Sequence, residues 1–161
     1  MSSRRQTMTI EFTPPDVAGV ADALAKLRHA GAGWMNLLPG IDEDTVDLDP
    51  PSGLFAFFGN RAPPVSMATV MPAKLDQRDR EGMTIGLMHP TGAKALARLA
   101  EVGIALPEGW VLRQDHVRRG LVARTPADAD EAAVVEWCVR AGTALCRAEM
   151  KGRWRAVVYL P

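Results

Sequence analysis

The densest group of ionisable side chains lies in WVLRQDHVRRG, Trp110 to Gly120, where Asp115, His116, Arg118 and Arg119 fall within five positions. Three kinds of chemistry use such a set. A histidine oriented by a carboxylate is a general base. Neighbouring arginines offer forked donors to a carboxylate or phosphate. Asp, His and Arg ahead of a glycine also make an ordinary polar hairpin tip. Asp115 and His116 are adjacent, so in a strand they point to opposite faces and cannot form a base–orienter pair. That leaves His89, just past another predicted strand, as the histidine that could pair with Asp115.

The elements that would position these residues follow from periodicity and punctuation. Thr7 to Phe12 is a β-prone run. Thr13-Pro14-Pro15-Asp16 has the form of a helix start, with Thr13 as N-cap, and Val17, Val20, Leu24 and Leu27 follow at helical spacing. The expected helix runs from Pro14 to Ala30, ended by Gly31 and Gly33. From Trp34 to Pro64 the turn signals LLPG, DPPSG and NRAPP dominate, with one strongly apolar piece, Gly53 to Gly59, holding Phe55, Phe57 and Phe58. Strands are predicted at Val65–Met71, Met83–Met88, Trp110–Gln114, Leu121–Thr125 and Arg153–Leu160. Helices are predicted from Thr91, as N-cap, to about Val102, and from an Asp128/Glu131 capping box to about Arg147.

From Met83 this order is strand, helix, strand, strand, helix, strand. It predicts an α+β fold with a ferredoxin-like βαββαβ core in an antiparallel sheet, plus an N-terminal helix and an extra strand. The expected organisation is a single domain over 1–161, with 1–64 as N-terminal helix and irregular arm and 65–161 as core. In that topology the strands ending at Met88 and Gln114 run the same way, with the Leu121 strand between them. Their carboxyl ends then share one sheet edge, about 10 Å apart. His89, Thr91, Gly92, Asp115, His116, Arg118 and Arg119 would gather there. Free amides at the helix start beside Thr91 and Gly92, with the two arginines, predict a site for a small anionic ligand. A solvated hairpin tip, with Gly120 at a left-handed position, is the simpler explanation of the same residues.

Catalysis has thinner support. No nucleophile elbow, HExxH or Walker sequence occurs. The acidic stretch IDEDTVDLDP lacks the glycine and final glutamate of an EF-hand loop. HPTGAK has too few glycines to cradle a phosphate. Cys138 and Cys146 would sit roughly 12 Å apart on one helix, beyond disulfide reach. No cofactor or metal is therefore expected. In the last strand, Trp154, Ala156, Val158 and Leu160 read as core, while Arg153, Arg155, Val157 and Tyr159 share the other face. With Tyr159 the only clear aromatic there, the base-stacking surface of RNA-recognition domains is missing.

Nineteen basic and nineteen acidic residues cancel. A global electrostatic case for nucleic acid or an anionic membrane is thus excluded. The polar start, the absence of a spanning apolar run and the sparse cysteines predict a cytoplasmic protein. Abundant Arg and Ala read as high-GC coding bias. LPEGWVLRQDHVRRGLV, followed by a helix and GRWRAVVY, resembles a group of uncharacterised proteins from high-GC, actinobacterial-type bacteria. The resemblance covers the last half of the chain. It implies a stand-alone domain and no functional residues, because that group has no assigned activity. The functional expectation is a non-catalytic binding or interaction module that self-associates as a homo-oligomer and takes a small anionic ligand at the sheet edge. The alternative is a small enzyme with hydrolase- or isomerase-like acid/base chemistry on His89 and Asp115.

Overall fold

The computed structural model describes residues 5–41, 65–72, 82–147 and 150–161. Their element order is β1 (Thr7–Phe12), α1 (Ala18–Ala30), β2 (Trp34–Ile41), β3 (Met67–Met71), β4 (Thr84–Met88), α2 (Ala95–Glu101), β5 (Val111–His116), β6 (Gly120–Arg124), α3 (Glu131–Ala144) and β7 (Met150–Tyr159). The seven strands form one sheet in the order β1-β7-β2-β3-β4-β6-β5, and every neighbouring pair is antiparallel.

The fold is therefore α+β, as the element pattern predicts, but the strand order is not the ferredoxin-like one. β4, β6 and β5 lie as expected, with β6 between two strands of like direction. The fourth strand of the predicted core, β7, should then flank β4. Instead the β2–β3 pair separates them, and β7 is enclosed between β1 and β2. The cause is β2, a strand that the sequence hides. Its turn-like Pro39-Gly40 falls where β2 has run past its pairing with β3, at a register irregularity against β7. Proline is tolerated there because no partner needs its missing N–H. The N-terminal segment is thus built into the sheet rather than laid on it as an arm. A β-α-β crossover around one inserted antiparallel strand occurs twice: β1-α1-β2 around β7, and β4-α2-β5 around β6.

Strand alternation divides the sheet into two unlike faces. Met35, Leu37, Val70, Ile85, Leu121 and Val158 are buried on one face, with Ala68, Leu87, Ala123, Trp154 and Ala156. The helices pack there with Val20, Leu24 and Leu27 of α1, Leu99 of α2, and Val134, Val135 and Cys138 of α3. α3 approaches closely at Gly142, where a Cβ would meet the Trp154 ring at 2.8 Å. There Ser66 donates its hydroxyl to the Gly142 carbonyl at 2.6 Å. Arg28 ties α1 to the α3 entry, donating to the Ala127 and Ala129 carbonyls at 2.6 and 2.9 Å and to Glu131 Oε1 at 2.8 Å. The expected split of the last strand holds: Trp154, Ala156 and Val158 are buried, while Arg153 and Arg155 are exposed.

Helix starts depart from the sequence reading in three places. α1 begins at Ala18, four residues after Pro14, with no side-chain cap. A residue that precedes proline is driven from helical geometry, so Pro14-Pro15 makes a turn, closed by Asp16 N–H to the Thr13 carbonyl at 3.0 Å. α2 begins at Ala95 rather than beside Thr91, because Lys94 takes a left-handed conformation (φ 58°) ahead of it. α3 is capped by Asp130, whose carboxylate accepts the Ala133 N–H at 3.0 Å. Asp128 stays exposed, and Glu131 serves Arg28 instead of a capping box. The acidic stretch from Asp42 to Asp49 and the segment from Gly53 to Gly59 lie outside the described residues.

Candidate functional site

The carboxyl ends of β4 and β5 do share one edge, with β6 between them. What gathers there is a structural network. Asp115, paired with Leu121 on the helix-packed face, points at the start of α2. Its Oδ1 accepts the Ala95 N–H at 3.3 Å and its Oδ2 the Leu96 N–H at 3.1 Å. The helix amides expected to receive an external anion thus already hold a carboxylate of the chain, a favourable charge for that end of a helix.

His116 points to the other side, as strand parity requires. Its Nδ1 accepts the backbone N–H of Arg118 at 3.1 Å and of Arg119 at 3.2 Å, closing the tight turn into β6. Gln114 braces the same turn by donating to the Arg119 and Gly120 carbonyls, both at 3.3 Å. Arg118 and Arg119 are exposed. Gly120 is left-handed (φ 80°), and a Cβ there would run into the Leu87 carbonyl. The hairpin geometry itself needs this glycine.

His89 is buried. Its Nδ1 faces the Thr91 hydroxyl at 3.0 Å and accepts the Thr91 N–H at 3.4 Å, while Nε2 has no hydrogen-bond partner. Thr91 thus serves His89 instead of capping a helix. His89 and Asp115 share no hydrogen bond, so the base–orienter pair is not formed. Burial, and next the Arg98 guanidinium, hold the imidazole below its ordinary pKa, against a smaller opposing effect of Asp115. Arg98, which nothing in its spacing marks, fastens the loop by donating to the Ala93 carbonyl at 3.2 Å and the Gly92 carbonyl at 3.1 Å. Gly92 is left-handed (φ 87°) with open space where a side chain would be.

The second candidate is the sheet face away from the helices. Trp34, Leu38, Met67, Met88, Val122 and Val157 lie on it, all partly exposed. The registers place Thr69 beside Asn36 on the same face, where the Thr69 hydroxyl donates to Asn36 Oδ1 at 2.8 Å. No described element packs across this surface. At one corner Trp34 and Tyr159, directly opposite across β2 and β7, stack with centroids 4.6 Å apart and planes 14° from parallel. Arg5 lies over Trp34, 5.0 Å from the ring centroid. Trp34 was illegible as a surface residue because β2 itself was. The two rings face each other, so they do not offer a platform for stacked bases.

Among the described residues no three His, Cys, Asp or Glu side chains are gathered to hold a metal ion, and no helix is long and apolar enough to cross a membrane. Comparison with protein-family models, with curated proteins and with solved structures returns no match.

Proposed function

We propose that the protein is a non-catalytic binding module that self-associates through the sheet face opposite its helices. The observation that carries this reading is the sidedness of the sheet. Among the described residues, α1, α2 and α3 share one face, and the other carries Trp34, Leu38, Met67, Met88, Val122 and Val157 around the Asn36–Thr69 hydrogen bond, with charged residues such as Arg155 towards its margin. Apolar side chains left partly exposed in such number on one face support reading it as a contact surface. Seven strands at ~4.8 Å spacing and about five residues at ~3.4 Å give a face of roughly 600 Å². Two copies stacked face to face would bury about 1,200 Å², the lower limit of a standard stable interface. A second copy fits because both sides of such a sandwich are then equally apolar, and a two-fold arrangement closes without leaving a face for further growth. The commitments of His116 to its own turn and of Asp115 to α2 turn the reading away from acid/base chemistry.

Light scattering during size exclusion tests it. The expected result is a dimer whose apparent mass falls to that of one chain in Met88→Glu and Val157→Glu, with circular dichroism unchanged. A parent protein that stays monomeric at high concentration overturns the proposal. So does a dimer that both charged variants leave intact.

A further inference from the structure

Among the described residues, His89 Nε2 is the one buried side-chain nitrogen or oxygen without a hydrogen-bond partner. The residue is 4% exposed, at the point where β4 gives way to the loop leading into α2. With Nδ1 accepting from the Thr91 N–H, the neutral ring carries its proton on Nε2. A second proton must go to Nδ1. There it would confront the Thr91 N–H, donor against donor, and only the Thr91 hydroxyl could turn to accept it. The resulting cation would be buried with Nε2–H still unserved.

Leu87, two residues before His89, lies in one row with Leu121 and Asp115 across β4, β6 and β5 on the helix-packed face. The charged groups acting on the ring are Arg98 on α2, which opposes its charge, and Asp115 on β5, which favours it. Asp115 is otherwise engaged, since its two oxygens hold the Ala95 and Leu96 amides. α2 has no other side-chain cap, because Lys94 at its start contributes none. A single carboxylate therefore stands between two claims: two helix amides while the ring is neutral, and a buried cation once the ring is charged. A buried unpaired charge is far more costly than a frayed helix end.

We propose that His89 and Asp115 form an acid-responsive latch on α2. A proton taken from solvent by His89 draws the Asp115 carboxylate toward the ring, releases the Ala95 and Leu96 amides, and loosens loop 89–94 together with the first turn of α2. The direction is fixed by linkage. A histidine held below its ordinary value when folded stabilises the latched state fully above about pH 6.5, and this is lost as pH falls below that value. The latch is independent of what the open sheet face binds.

Amide hydrogen exchange on the full chain, followed residue by residue between pH 7.5 and pH 5, tests it. The Ala133 amide, held by the Asp130 carboxylate at the start of α3, serves as internal control: a helix-end amide with the same kind of cap but no histidine beside it. Protection factors at Ala95 and Leu96 are expected to fall on the order of tenfold relative to Ala133 on acidification. The His89 ring carbon-bound protons should titrate with the same midpoint. His89→Asn keeps an acceptor for the Thr91 N–H without a titrating group, and its α2 protection should be independent of pH. Unchanged protection at Ala95 and Leu96 in the parent overturns the latch, as does a ring midpoint separate from the loss of protection. Should His89→Asn fail to fold, the comparison of midpoints in the parent decides alone.

Discussion

Among the described residues, the reactive and charged side chains at the β4–β5 edge that do find partners are spent on the backbone. Asp115 serves two amides of α2, His116 two amides of its own turn, and Arg98 two carbonyls of the loop before it. Trp137 likewise donates its indole N–H to the Ala105 carbonyl at 3.1 Å. Cys138 illustrates the same inertness without any partner side chain. It is fully buried in α3, and burial pushes its thiol up to about 12, so the nucleophilic thiolate is scarce at ordinary pH. Cys146 is only partly buried, beyond the end of the helix. A thiol reagent at pH 8 should therefore modify one cysteine per folded chain, Cys146, and reach Cys138 only on unfolding. Rapid modification of both thiols in the folded protein, counted by mass spectrometry, would refute the burial of Cys138.

Between elements, the strongest described polar connection is Arg28. From the last turn of α1 it satisfies two carbonyls and one carboxylate at the entry to α3, so one residue fixes the angle between two helices. Arg28→Met retains the aliphatic stem but leaves the Ala127 and Ala129 carbonyls to find water. It should cost about 1.5–3 kcal/mol in chemical denaturation, as expected for hydrogen bonds to a charged group. A change within a few tenths would mean that the clamp is idle. Arg28 was not legible as a clamp, since its partners lie about a hundred positions along the chain. Elements with regular alternation were legible: β3, β4, β6 and β7 show apolar residues at every second position on the buried face. β2 was not, because large apolar residues occupy both of its faces, Met35 and Leu37 on one and Trp34 and Leu38, either side of Asn36, on the other. Helix starts failed where prolines or a remote carboxylate set them: Pro14-Pro15 delay α1, and Asp115 caps α2 from another strand. At the candidate site, strand parity correctly separated Asp115 from His116. The roles of both residues, however, depend on backbone amides that no sequence pattern exposes.

Across the whole molecule, the last strand is the keystone. β7 pairs with β1 and β2 on its two edges, joining Tyr159 to Thr7 and to Trp34, and it buries Trp154, Ala156 and Val158 under the helices. Until β7 is available β1 has no sheet partner at all, and β2 has only β3. Loop-closure entropy for such distant pairings must be met before any of their contacts form. Two consequences of this topology can be measured. Refolding should fall in the millisecond-to-second range typical of non-local sheets rather than the microseconds of helical bundles. A chain ending at Arg147 should lose cooperative unfolding altogether, because removing one Trp154 side chain alone is worth about 3–5 kcal/mol, a large part of the total stability of a domain this size. Thermal denaturation followed by circular dichroism reads the outcome. A sharp transition in the truncated chain would show that β2 to β6 with α2 and α3 fold by themselves, and that β1 and β7 are additions to a smaller core rather than part of the one that holds the sheet together.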